Sequence, residues 1–139
     1  MKKPIFHLLA LAAILNFSLP GSLTAQTTNN ATLTVYISFA NIEAGYDHDN
    51  KTEIYIDGKL AATSTVTKES VKNSVSAKTS KGNHDIRIVN YAYYEGVWEE
   101  HTIANNYSQD FIYNASMNLT KKKTKLKLLF DVDNGMQVK

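Results

Sequence analysis

The chain has 139 residues, 15 basic against 13 acidic, four histidines and no cysteine. Without cysteine there is no disulfide staple, no thiol nucleophile, no lipid-acceptor thiol and no thiolate metal site, so stability must come from core and backbone pairing alone. Two of the basic residues, Lys2 and Lys3, belong to an N-terminal leader. The remainder balances 13 basic with 13 acidic residues and gives no whole-domain argument for nucleic acid.

Lys2-Lys3, an apolar run from Ile5 to Phe17, then Pro20, Gly21 and Leu23-Thr24-Ala25 stand in the order of a secretory signal peptide cleaved after Ala25. The run is too short to span a bilayer. Residues 1–25 are therefore expected to be a signal peptide. Residues 26–139 should form one domain, secreted or periplasmic, soluble after cleavage and without a transmembrane segment. Removing 25 of 139 residues leaves 114, enough for one hydrophobic core.

After a polar lead-in, Leu33, Val35, Ile37 and Phe39 alternate with Thr34, Tyr36 and Ser38, the period of a half-buried strand. Asn41 to Lys51 is rich in turn formers and reads as a loop. Glu53 to Ile56 and Lys59 to Thr63 flank Asp57-Gly58, a strong hairpin signal that predicts a type I′ turn with Ile54 and Ile56 facing inward. Val66 to Ser80 keeps partial alternation at Val71, Val75 and Ala77 and predicts one edge strand guarded by Lys68, Lys72 and Lys78.

Residues 82–104 predict a long hairpin. Ile86, Ile88, Asn90 and Ala92 share one face, and Asp85, Arg87, Val89 and Tyr91 the other; Glu95-Gly96 makes the turn, and a second arm runs on to Ile103. A strand from Tyr107 to Leu119 follows, with Phe111, Tyr113, Ala115, Met117 and Leu119 on one side. The last strand carries Leu126, Leu128, Phe130 and Val132, Asp133-Asn134-Gly135 ends it, and the tail is expected to fray. About seven to eight strands and no helical period outside the leader predict an all-β, single antiparallel β-sandwich, immunoglobulin-like or jelly-roll-like.

Ile54-Tyr55-Ile56-Asp57-Gly58-Lys59, followed by Lys81-Gly82-Asn83-His84-Asp85-Ile86-Arg87-Ile88, resembles the PEGA-type β-sandwich modules of bacterial envelope proteins, in which a strand ends in Asp-Gly-Lys and a Gly-x-His turn enters another. The resemblance implies an exported accessory module without catalysis.

Four aromatic residues, Tyr91, Tyr93, Tyr94 and Trp98, crowd the turn end of the long hairpin. Rings of this kind on a rigid hairpin stack on sugars or anchor a protein partner. Asp47, Asp49 and Glu53 could gather oxygens around calcium, although the stretch lacks the glycine and the twelfth-position acid of an EF-hand. His48, His84 and His101 lack zinc-site spacing. Glu95, Glu99 and Glu100 could form a glycosidase pair, and Lys121, Lys122, Lys123, Lys125 and Lys127 form a basic cluster in which Lys125 and Lys127 alternate with Leu126 and Leu128 as an outer face should. The function expected is that of an exported, non-enzymatic module binding a protein partner or packing in an envelope assembly. The alternative is a carbohydrate-binding module that uses the aromatic hairpin, assisted by calcium.

Overall fold

A computed structural model describes residues 29–139. The expected signal peptide lies outside the described residues. Ten strands follow in order: β1 (Asn30–Ala40), β2 (Asp49–Ile56), β3 (Lys59–Thr63), β4 (Thr67–Lys68), β5 (Asn73–Ser80), β6 (Gly82–Tyr94), β7 (Val97–Glu100), β8 (Ile112–Leu119), β9 (Lys123–Asp131) and β10 (Gly135–Val138). They build a four-stranded sheet in the order β10-β9-β1-β5 and a six-stranded sheet in which β3, β2, β6 and β7 are neighbours, with β4 on β2 and β8 on β6. The described residues are all-β, sandwich-like, and contain no helix long and apolar enough to cross a membrane.

Alternation turns one face of each sheet inward. Leu33, Val35 and Ile37 of β1, Val75 and Ala77 of β5, and Leu126, Leu128 and Phe130 of β9 pack with Ile54 and Ile56 of β2, Ile86 and Ile88 of β6, Phe111 and Leu119. Each fully buried Leu, Ile or Phe in such a layer contributes about 1.5–3 kcal/mol. The Phe111 and Phe130 rings stack at 4.8 Å, and Phe39 meets both edge-on.

The long strand β6 carries the six-stranded sheet. Along one edge it pairs with β2, Ile86 to Tyr93 against Ile56 to Asp49. Along the other it pairs first with β8, up to Val89, and then with β7, from Tyr91. Asn90 is the switch point. Its N–H donates to the Phe111 carbonyl (3.1 Å), and its own carbonyl accepts from His101 N–H (2.9 Å). Both predicted hairpin turns form as their residues demand. Asp57 and Gly58 have φ of 52° and 75°, and Glu95 and Gly96 have 47° and 89°, the positive values a type I′ turn needs at both central positions.

The structure corrects the expected layout in several places, beginning with the loop expected over Asn41 to Lys51, whose last three residues are the start of β2. β1 and β9 pair in parallel, so the sandwich is not wholly antiparallel; a parallel pair needs a long crossover, and here the intervening chain supplies it. The single edge strand expected over Val66 to Ser80 is two. β4 stays on the six-stranded sheet, the chain turns at Glu69 and Ser70, and β5 crosses to the edge of the other sheet, leaving Val71 exposed. The second hairpin arm ends at Glu100 rather than Ile103, and β8 begins at Ile112 rather than Tyr107. Between them a 3-10 turn at Ile103–Asn105 is closed by Asn106 in the left-handed region. The tail does not fray. Asp131 accepts hydrogen bonds from the backbone N–H groups of Asp133 and Asn134 and from the side chains of Asn41 and Asn134, and the resulting turn returns the chain as β10 on β9.

Candidate functional site

Odd-numbered residues of β2 and β6 and even-numbered residues of β7 point away from the core. The register sets Trp98 and Asp49 on either side of Tyr93, Glu100 and Lys51 on either side of Tyr91, and Tyr55 beside Arg87. The Tyr93 and Trp98 rings lie 5.1 Å apart at 49° and are 43% and 38% exposed. Lys51 Nζ stands 5.2 Å from the Tyr91 ring centre and 5.3 Å from that of Trp98, and it also pairs with Glu53 Oε1 at 3.0 Å. The Tyr55 hydroxyl donates to Glu53 Oε2 (2.6 Å), and Arg87 and the Tyr91 hydroxyl both reach Glu100. Burial pushes the Glu53 carboxyl up, but the bonds donated by Tyr55 and Lys51 outweigh it and hold the group below its ordinary value. Beneath this lattice Val89, on the same outward face, is fully covered.

Tyr94 is not part of that patch. As the neighbour of Tyr93 it points to the opposite side of the sheet, where it lines a cleft of about 750 Å³. The wall of the cleft comes from five separate segments: the β1–β2 loop with Tyr46 and His48, the β4–β5 turn with Glu69, the β6–β7 hairpin end with Tyr94, Glu95 and Glu99, the β7–β8 connection with His101 and Tyr107, and the β9–β10 turn with Val132. His101 and Glu69 are buried at its floor, 4% and 2% exposed. The His101 ring lies between those of Phe111 (4.0 Å) and Tyr107 (4.1 Å), which extends the core aromatic stack into the cleft. The Tyr107 hydroxyl donates to Glu99 Oε1 at 3.0 Å; burial first, and then that carboxylate, hold it protonated far above the ordinary tyrosine value. Glu99 and Glu100, successive on β7, therefore face opposite sides of the sheet, whereas Glu95 and Glu99 both line the cleft.

The three carboxylates considered for calcium have separate partners. Asp47 accepts from the backbone N–H and hydroxyl of Ser70 (2.9 and 2.6 Å), which hold its carboxyl below the usual range; Asp49 pairs with Lys68 Nζ at 3.0 Å; Glu53 belongs to the outer lattice. Among the described residues no three His, Asp or Glu side chains come together as a metal-binding group.

Of the remaining histidines, His48 stands in the cleft wall and His84 joins two hairpins. Its Nδ1 lies 2.7 Å from Asp57 Oδ2, and Asp57 Oδ1 accepts from the Asp85 backbone N–H at 3.0 Å. The Asp-Gly-Lys and Gly-x-His segments are thus in direct contact. Lys125 and Lys127 are exposed on the outer face of the four-stranded sheet, with Leu126 and Leu128 beneath them.

Sequence reasoning missed Glu69, His101 and Tyr107 as a group. They come from unrelated polar stretches, and no spacing or periodicity connects them. No family model, curated protein or solved structure matches this chain.

Proposed function

We propose that the chain is an exported, non-enzymatic β-sandwich module that binds a protein partner, or packs in an envelope assembly, through the outer face of its β6–β7 hairpin. The observation that carries this reading is the Tyr93–Trp98 pair: two large rings, each about two-fifths exposed, held across neighbouring strands at 5.1 Å with Lys51 beside them. Interface anchors have this character, aromatic area already fixed before the partner arrives and bordered by charged groups that are themselves paired. Kinship with PEGA-type modules belongs to the same proposal, supported by the contact of Asp57 with His84, within a sandwich that is immunoglobulin-like or jelly-roll-like.

Binding of a glycan by the same patch is the second reading. The 49° tilt between Tyr93 and Trp98 removes the common plane that a sugar face would use, and Tyr94 is turned away, so the protein reading is favoured. Calcium at Asp47 would compete with the two bonds that Ser70 donates to it.

The test is photo-cross-linking to the envelope fraction of the source cells, with p-benzoylphenylalanine at position 93 and, as a control, at position 36 on the other sheet. A discrete protein adduct at position 93 that disappears with Trp98→Ala and is absent at position 36 is the expected result. Equal labelling at both positions would overturn it. A blank cross-link beside a glycan-array signal lost in Trp98→Ala would transfer the patch to the carbohydrate reading.

A further inference from the structure

The near balance of basic and acidic residues conceals a separation of charge across the sandwich. On the outer face of the four-stranded sheet, Lys123, Lys125 and Lys127 of β9 stand beside Thr32, Thr34 and Tyr36 of β1. Lys78 of β5 flanks Thr32 from the other side. All four lysines are exposed, and none of them makes an ion pair among the described residues. Lys121 and Lys122, also exposed, carry the same charge into the turn before β9. The four strands hold a single acid, Asp131, which is 6% exposed at the far end of β9 and is taken up by Asn41 and Asn134.

Lysines often guard an open strand edge against pairing with another chain. That role does not account for Lys127, which sits where β9 is paired on both sides, with β1 at Tyr36 and through the Lys139 N–H that donates to its carbonyl at 2.9 Å. Alternate residues of a strand stand about 6.6 Å apart, so the ammonium groups repel one another across a face that supplies no counter-charge. A face of this kind gains from a partner whose negative charge is spread over the same plane.

We propose that the outer face of the four-stranded sheet binds an anionic lipid surface. The face is the broad side of a sheet and not a groove, and its cations are ammonium groups, point charges that suit diffuse headgroup charge better than the fork of a guanidinium does. Tyr36, 40% exposed among the lysines, offers a ring with a polar tip of the kind that settles at a membrane–water interface. Lysines near an anionic bilayer add their attractions, each strengthening binding about fivefold. Bound in this way, the chain would turn Tyr93 and Trp98, on the outer face of the other sheet, away from the lipid.

The test is flotation of the chain, purified after export, with vesicles of phosphatidylglycerol and phosphatidylcholine in equal parts, beside vesicles of phosphatidylcholine alone. Binding to the anionic vesicles only, lost as salt is raised well above about 0.1 M, is the expected result. Lys125→Gln combined with Lys127→Gln should weaken it about twenty-five-fold. Lys59→Gln combined with Lys68→Gln removes the same charge from the other sheet and should weaken it less than about threefold. All four positions are exposed, and a circular dichroism melt checks that both variants fold. Trp98→Ala should leave lipid binding unchanged, so that this inference and the reading of the aromatic patch can fail separately. Equal binding to the uncharged vesicles, or equal losses in the two double variants, would overturn the proposal. So would a complex with dextran sulfate as tight as that with the anionic vesicles and equally dependent on Lys125 and Lys127, which would assign the face to a linear polyanion.

Discussion

Asp57 makes two bonds that decide how the β2–β3 hairpin sits on β6. One oxygen caps the Asp85 N–H and the other meets His84, whose side chain is 9% exposed while that of Asp57 is 55% exposed. The two groups titrate in opposite senses. The bond to Asp57 raises His84 above its ordinary 6.5, so its contribution is complete below that value and is lost as pH rises through the raised one. The bond to His84 lowers Asp57 below its ordinary 3.8, so its contribution is complete above that value and is lost as pH falls through the lowered one. The pair should stabilise most between about pH 4 and 6.5. The difference in melting temperature between the native chain and His84→Ala is expected to peak in that window and shrink on both sides; a difference constant from pH 3 to 9 would show that the pair is not formed.

Elements differ in how openly the sequence declares them, and the β9–β10 hairpin shows why. Asn134-Gly135 reads like Asp57-Gly58, yet only Gly135 takes a positive φ (+81°), and the turn closes as a three-residue loop between Asp131 and Gly135. Only four residues follow it, too few to show a period, so a return strand was not legible; the ring of bonds around Asp131 supplies what periodicity could not. Gly135→Ala is expected to cost about 1–2 kcal/mol, because an L-residue is forced into the left-handed region. The Gln109 side chain 3.3 Å from the added carbon is flexible and can move aside. A urea melt checks it, and an unchanged midpoint would mean that β10 is not held by this turn. The long hairpin was legible for the opposite reason: Ile86, Ile88 and Ala92 alternate over enough residues to fix the inward face. Tyr94 was misgrouped because composition counts neighbours together, whereas a strand sends successive side chains to opposite faces. The cleft was not legible at all, since Glu69, His48 and His101 meet only after two sheets have formed and the chain has crossed between them.

On the scale of the whole molecule, the core lies between the sheets and the exposed aromatic pair outside them. The inner residues of β1, β5 and β9 against those of β2, β6 and β8 form one buried layer, while Tyr93, Trp98 and Lys51 stand on the far side of the six-stranded sheet. The same strand, β6, contributes to both faces: Ile88 is fully buried on one and Tyr93 is 43% exposed on the other. Removing Ile88 deletes core volume and should cost about 2–5 kcal/mol. Removing Tyr93 deletes one cross-strand pair and should cost at most about 1 kcal/mol. The deciding measurement is a pair of urea melts followed by circular dichroism, Ile88→Ala beside Tyr93→Ala. A large loss for the first and a small one for the second is the predicted result. A Tyr93→Ala chain that unfolds while Ile88→Ala is tolerated would mean that β6 is registered the other way round, that its aromatic face is core, and that no free binding surface exists there.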